Sequence, residues 1–182
     1  MIKHPPAASS GAASASEAGR DDPEAVARKI LLDQLTGRAR SRSDLDARLA
    51  QRDVPDEIAA RLLDRFEEVG LVDDAAFARG WVEQRQAGRG LARRALAQEL
   101  RREGIDDEVA REALDEIDPD DEVEAARTLV RRRLRTVRDL DQEAAVRRLS
   151  GMLARKGYPP SVAFRVVREE LGADLVDPEH LT

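Results

Sequence analysis

Apolar residues return at helical spacing three times along this chain, within three copies of one sixteen-residue segment. The copies span residues 48–63, 99–114 and 152–167, so that they lie 51 and then 53 residues apart. The aligned apolar positions are Leu49, Leu100 and Leu153, then Val54, Ile105 and Tyr158, then Ile58, Val109 and Val162, then Leu63, Leu114 and Val167. A repeat of this period is typical of a modular helical array, in which each unit buries an apolar stripe partly against its neighbours.

A turn is predicted inside each copy, between the first two aligned apolar positions. The turn residue is Asp53, Gly104 or Gly157, and each of these types tolerates a left-handed backbone. Residues that suit the start of a helix follow directly after the second apolar position, at Pro55, Asp106 and Pro159. Each copy therefore predicts the end of one helix, a tight turn and the start of the next helix.

The repeat divides the chain into three units of about 50 residues, each long enough for three short helices. We place them at residues 23–72, 73–119 and 120–172. Residues 1–22 are rich in Ala, Ser, Pro and Gly and predict a disordered N-terminal tail, and residues 173–182 predict a short acidic C-terminal tail. Strand signals are almost absent, and aromatic residues make up only 3% of the chain, so the core must come from aliphatic side chains. The predicted fold class is all-α.

Helix boundaries in the first two units follow from capping residues. Asp22 and Pro23 predict the first helix start, and Ser41 or Ser43 caps the second helix. Pro55 starts the third helix, which ends at Gly70. The second unit starts at Asp73-Asp74 and closes at Pro119, and its first helix ends near residues 87–90. Helical spacing predicts that Phe77, Trp81 and Leu96 lie in its core.

The third unit predicts one long helix from Asp120 to Arg138, followed by helices over 141–156 and 159–171. Four arginines follow its apolar stripe at i, i+4, i+8 and i+11, which would place them along one flank. They are Arg127, Arg131, Arg135 and Arg138.

Charge is strongly segregated along the chain, although the net formal charge is only −6. Residues 79–102 carry +5, residues 127–138 carry +6 with six arginines and no acid, and residues 103–124 between them carry −11. Such blocks favour distinct binding faces. The alternative is a bias in composition, because only three of the 31 cationic residues are Lys.

The residues that most enzymes need are missing from the repeats. The two histidines, His4 and His180, lie in the predicted tails, there is no cysteine, and no phosphate-binding loop of the GxxxxGK type occurs. The acids at residues 118–122 could hold a cation weakly, but negative charge at a helix start is the commoner role. We therefore predict no catalytic residues, no cofactor and no metal site. With no membrane-length apolar run and no secretory signal, we expect a cytoplasmic protein. We separately expect a monomer.

The basic blocks supply the candidate binding residues, which would meet an acidic protein surface or DNA phosphates. The candidates are Arg85, Arg89, Arg93, Arg94, Arg101 and Arg102 in the second unit, and Arg127, Arg131, Arg132, Arg135 and Arg138 in the third. Three helix–turn–helix segments also suggest DNA recognition. However, the helix after each turn contains acids, which disfavours a sequence-specific repressor and leaves weak, nonspecific contact with single- or double-stranded DNA. A generic adaptor scaffold is a third interpretation.

Specific segments resemble the bacterial RecX family, regulators of the RecA recombinase. The resemblance runs through residues 38–45 with Leu49, through 69–74 followed by Phe77-Ala78, and through Gly88-Arg89-Gly90 leading to Leu96, Glu99-Leu100 and Gly104-Ile105. With the threefold repeat it covers residues 24–171. The chain departs from the family pattern at Leu91-Ala92 and at Asp53, where the turn of the first repeat would usually be Gly.

The resemblance implies a mechanism without covalent chemistry. RecX-like proteins are tandem three-helix repeats that form an elongated, curved body and bind the RecA filament along its helical groove. They antagonise filament growth, ATP hydrolysis, strand exchange and coprotease activity. The resemblance therefore implies the RecA filament as the partner. That the arginines named above contact it, through acidic recombinase surface or DNA phosphates, is a hypothesis from charge and spacing alone.

Overall fold

A computed structural model describes the backbone of residues 22–175 and the side chains of residues 22–172. The predicted N-terminal tail (1–22) lies outside this range except for Asp22. The predicted C-terminal tail (173–182) also lies outside it, apart from residues 173–175, which form the end of the last helix and not the beginning of a tail.

Within that range the chain is all-α, as the repeat predicts. The helices are α1 (Pro23–Leu35), α2 (Arg42–Ala50), α3 (Asp56–Glu68), α4 (Asp74–Arg89), α5 (Arg93–Arg102), α6 (Asp107–Asp115), α7 (Pro119–Arg131), α8 (Gln142–Arg155) and α9 (Pro160–Leu175). A short 3-10 helix, Leu134–Thr136, lies between α7 and α8. We refer to α1–α3, α4–α6 and α7–α9 as the first, second and third units.

Side-chain caps set most helix starts. Asp22, Ser41 and Asp73 accept hydrogen bonds from the first-turn N–H groups of α1, α2 and α4. Asp118 caps α7 in the same way, so part of the acidic run at residues 118–122 serves as a helix start. Pro119 is the first residue of α7, where its missing N–H costs nothing.

Each unit has its own hydrophobic cluster. The aligned leucines of the repeat, Leu49, Leu100 and Leu153, are fully buried, one in each cluster. Ala92 is an exception. It caps α5 of the second unit, but its side chain is buried in the hydrophobic cluster of the third unit. The units therefore fold around separate cores and meet only through narrow junctions.

The long helix predicted over residues 120–138 is wrong. Helix α7 ends at Arg131, the Arg133 N–H bonds the Val130 carbonyl at 2.7 Å, and the chain then forms the 3-10 turn. A continuous helix would align like charges three and four residues apart, which destabilises a helix. The break instead lets Val137 reach the core of the third unit while the arginines around it stay exposed.

The junctions between units repeat each other. In the first junction the Ser41 hydroxyl donates to the Glu103 carbonyl oxygen at 2.7 Å. In the second, the Ala92 backbone N–H donates to the Lys156 carbonyl oxygen at 2.9 Å. Ser41 and Ala92 are the N-cap residues of α2 and α5, and Glu103 and Lys156 are the C-cap residues of α5 and α8.

A carboxylate reinforces each junction next to that bond. The Arg42 N–H donates to Asp74 Oδ1 at 2.8 Å, and the Arg93 N–H donates to Glu122 Oε1 at 2.8 Å. Both acids lie near the start of the next unit's first helix, and both bond an N–H group that has no partner within its own helix. The start of the second helix of one unit is thus capped by the following unit.

Packing around the three turns explains why the first repeat has Asp53 where the other two repeats have glycine. Asp53, Gly104 and Gly157 all have positive φ angles, of 56°, 74° and 90°. A Cβ on Gly104 would overlap the Ser43 side chain, and one on Gly157 would lie 2.5 Å from the Ala95 backbone nitrogen. Asp53 is exposed, with no preceding unit in the described chain packed against it, so a side chain is tolerated there.

Candidate partner-binding surface

A groove in the third unit runs between the 3-10 turn, the start of α8 and the end of α9. Its volume is ≈ 570 Å³, and we call it the third-unit groove. It is lined by Arg131, Leu134, Arg135, Val137, Arg138, Leu140, Gln142, Ala145 and Leu171. The lining combines aliphatic side chains with three arginines and contains no acid, which suits an acidic partner that also presents apolar side chains.

Two of the predicted third-unit arginines form ion pairs within the molecule. Arg131 Nε and Nη2 donate to the two carboxylate oxygens of Glu170 at 2.8 and 3.0 Å. Arg127 Nη2 donates to Glu169 Oε2 at 2.7 Å. The hydrogen bonds from these arginines to the two glutamates raise the pKa of each guanidinium above its usual value. Arg127 and Arg131 therefore join α7 to α9.

The other three, Arg132, Arg135 and Arg138, are exposed and make no ion pair with any acid among residues 22–172. Arg133 is exposed and unpaired in the same way, although it was not among the predicted candidates. Its membership of the acid-free run at residues 127–138 was the available signal. Because the helix ends at Arg131, these side chains belong to a turn and not to one helical flank.

In the second unit, three side chains surround the Glu99 carboxylate: the candidate arginines Arg85 and Arg89, and Trp81. Arg89 Nη1 donates to Glu99 Oε1 at 2.9 Å, and the Trp81 indole N–H donates to Oε2 at 3.1 Å. Arg85 Nε lies 3.0 Å from Oε2 at an angle too poor for a hydrogen bond, and the guanidinium stacks 4.2 Å from the centre of the Trp81 ring. This is a cation–π contact that complements the ion pair.

Trp81 is half-buried beneath Arg85 and packs against the core cluster of the second unit, so the prediction that it lies in the core is partly confirmed. Phe77 and Leu96 are buried, as predicted.

The remaining second-unit candidates are two arginines in ion pairs and two exposed arginines without one. Arg93 pairs with Asp115 at 2.5 Å and Arg101 with Asp107 at 2.8 Å. Arg94 and Arg102 are exposed and pair with no acid within the described chain. Of the eleven predicted arginines, six are engaged internally and five are available to a partner. The available arginines are Arg94, Arg102, Arg132, Arg135 and Arg138.

A second groove, of ≈ 510 Å³, lies where the first and second units meet. Its lining includes Arg38, Ser41 and Trp81. Arg40 and Asp44, also in the lining, form an ion pair at 2.7 Å. Burial alone would raise the pKa of Asp44, but hydrogen bonds from Arg48 and Arg40 outweigh it and lower the pKa. The segment 38–45 thus builds the first junction.

Within the described residues, no group of three or more His, Cys, Asp or Glu side chains is arranged to hold a metal ion. No helix of that part of the chain has the length and apolar character that a membrane span requires.

The fold and these surfaces define a tandem array of three-helix domains that carries an arginine-lined groove. Three family models match it in order: the first three-helix domain of RecX over residues 27–66, the second over 73–114 and the third over 120–167. The chain belongs to the RecX family.

Relatives that match over most of their length agree with this assignment, and a solved structure shares the fold. The regulatory protein RecX of Streptomyces coelicolor is 49% identical over 181 residues, covering 97% of this chain and 96% of the relative. That of Thermobifida fusca is 52% identical over 160 residues, covering 88% and 86%. The crystal structure of RecX from Lactobacillus salivarius superimposes with a TM-score of 0.77 at 18% identity, covering 85% of this chain and 98% of the other. This last similarity concerns the fold alone.

Proposed function

We propose that this protein is a non-enzymatic modulator, mainly an inhibitor, of the RecA recombinase in the cytoplasm. It binds the RecA nucleoprotein filament and limits filament growth, ATP hydrolysis, strand exchange and coprotease activity, and so regulates DNA repair and the SOS response. The observation that carries this proposal is membership of the RecX family along the whole three-domain array.

The third-unit groove supports a protein partner. Leu134 and Val137 give the groove an apolar wall, and Arg135 and Arg138 stand beside it with no acid in the lining. A bare phosphate backbone needs only cations, whereas a mixed apolar and cationic groove fits an acidic protein surface. Inhibition by occupancy requires no reacting group, only enough contact to keep the next protomer from adding.

Nonspecific DNA binding is the second candidate function, and the exposed, unpaired arginines favour it. The five available guanidinium groups could each neutralise one phosphate. Affinity for bare DNA would then fall steeply with salt, because each phosphate contact releases roughly one counterion.

One titration separates the two functions. The protein is added in substoichiometric steps to RecA that hydrolyses ATP on single-stranded DNA, and its affinity for DNA alone is measured at low and moderate salt. We expect progressive loss of hydrolysis together with weak binding to bare DNA. Unchanged hydrolysis with tight, salt-sensitive DNA binding would overturn the proposal and leave the DNA-binding function.

A further inference from the structure

The two ends of the array carry the unmatched halves of the junction that joins the units. Each internal junction places the turn of one unit against the start of the second helix in the preceding unit. The turn of the first unit, at Asp53, has no preceding unit in the described chain. The start of α8 in the third unit, at Asp141, has no following unit there. Both are exposed.

A second copy could in principle join these halves, since the backbone elements are equivalent. Val54, Ile105 and Tyr158 each donate a backbone N–H to the aligned leucine carbonyl, so the three turns have one conformation. Asp141 is the N-cap of α8, as Ser41 and Ala92 are of α2 and α5. A head-to-tail contact of this kind does not close on itself and would grow into an open filament.

The volume of the Asp53 side chain would oppose that contact. In the internal junctions a Cβ at the turn would collide with Ser43 or with the Ala95 backbone nitrogen, which is why glycine is needed there. The residues that Asp53 would meet at the start of α8 are Glu143 and Ala144, which hold the equivalent positions two and three residues after the N-cap. A side chain at the turn cannot be accommodated without displacing that helix.

The charges of the two ends add to the barrier. Asp53 would approach the carboxylates of Asp141 and Glu143, both exposed. The acid that could reinforce the contact, as Asp74 and Glu122 do internally, would be Glu24 of the first unit. Glu24 is already bound by Arg28 and Arg61, each at 2.9 Å.

We propose that the ends of the array are latent docking surfaces for a second copy of this chain, and that Asp53 keeps them apart. Terminal units of repeat proteins commonly need such a polar cap to remain soluble. Here the cap is one residue, placed at the position where the internal copies require glycine. This role is independent of the partner that the arginines bind.

Sedimentation velocity over a wide range of protein concentration tests the proposal. Wild-type protein is expected to remain monomeric, and so is Asp53→Asn, which retains the side-chain volume and left-handed backbone but loses the charge. The double variant Asp53→Gly with Glu143→Gln is expected to show a sedimentation coefficient that rises with concentration. Adding Ala144→Leu to this double variant places a large side chain at the start of α8, where the turn of the second copy would pack. It is expected to restore the monomer.

Three results would overturn the proposal: a double variant that stays monomeric at every concentration, a wild-type chain that itself associates, or association that persists with Ala144→Leu. Far-UV circular dichroism of each variant confirms that the helices are retained.

Discussion

Arg131 and Glu170 form a two-point ion pair across the third unit, with nitrogen–oxygen distances of 2.8 and 3.0 Å. Glu170 is only 8% exposed, while the arginine remains open to solvent on its other side. Arg131 is therefore neutralised by a residue of α9, thirty-nine residues further along the chain, and not by a partner. This divides the basic run into arginines that hold the unit together and arginines that are available for binding.

The first prediction compares Arg131, which stabilises the third unit, with Arg135, which is exposed and unpaired. Arg131→Ala should lower the melting temperature, because it leaves the Glu170 carboxylate buried without its donors. Arg135→Ala, an exposed neighbour without an ion pair in the described chain, should leave the melting temperature nearly unchanged. Thermal unfolding followed by circular dichroism checks both, and equal melting temperatures for the two variants would contradict the assignment.

A second prediction concerns the junction between the second and third units. Gly70→Ala should cost about 1–2 kcal/mol of unfolding free energy, because only its positive φ opposes a side chain. Gly157→Ala should cost roughly 1–3 kcal/mol more, because its Cβ also meets the Ala95 backbone. Urea unfolding of the two variants measures the difference. The account of the junction fails if both substitutions cost the same.

Tyr158 gives a third prediction, since it is the only tyrosine in the chain. Burial, aided by the nearby charge of Glu122, raises the pKa of its hydroxyl from 10.0 to about 12. The unfolded chain then releases this proton first, so the Tyr158 contribution is fully present below pH 10 and is lost between about 10 and about 12. Tyrosinate absorbance should titrate near 12 in the folded protein and near 10 in urea. Tyr158 is buried in the cluster of the third unit, and its hydroxyl donates to the Gly90 carbonyl oxygen of the second unit at 3.2 Å. A folded-state midpoint near 10 would refute that burial.

The fourth prediction uses Trp81, the only tryptophan. Glu99→Ala removes the acceptor of the indole N–H and the charge that holds Arg89. Trp81 should become more accessible to acrylamide, which fluorescence quenching measures. Glu83→Ala, an exposed acid on the same helix, serves as the matched control and should leave quenching unchanged. Identical quenching in both variants would show that Glu99 does not shield the ring.

Local signals made much of the fold predictable. Capping at Asp22 and Asp73, the positive φ angles of Asp53, Gly104 and Gly157, and burial of the aligned leucines all depend on residues close in sequence. The end of α7 at Arg131 was missed because helical periodicity continues through Leu134 and Val137. Nothing in that period reveals that the chain leaves the α-helix after Arg131 and forms a 3-10 turn at Leu134–Thr136.

The candidate surface was predicted less completely, because ion pairs depend on distant partners. Arg127 meets Glu169 and Arg131 meets Glu170 only after α7 and α9 have packed together. A count of charges within one segment cannot separate such residues from Arg132 or Arg138, which form no ion pair in the described chain. The predicted stripe therefore includes both arginines that hold α7 against α9 and arginines that are free to contact a partner.

Charge reversal in the third-unit groove tests whether this surface acts on RecA, with inhibition of RecA ATP hydrolysis as the readout. The test variant carries Arg135→Glu and Arg138→Glu, both in the lining of the groove. The control carries the same charge change at Arg52 and Arg65, both exposed and unpaired in the described chain. We predict that the groove variant loses inhibition while the control inhibits as the wild type does. Full inhibition by a correctly folded groove variant would contradict the account.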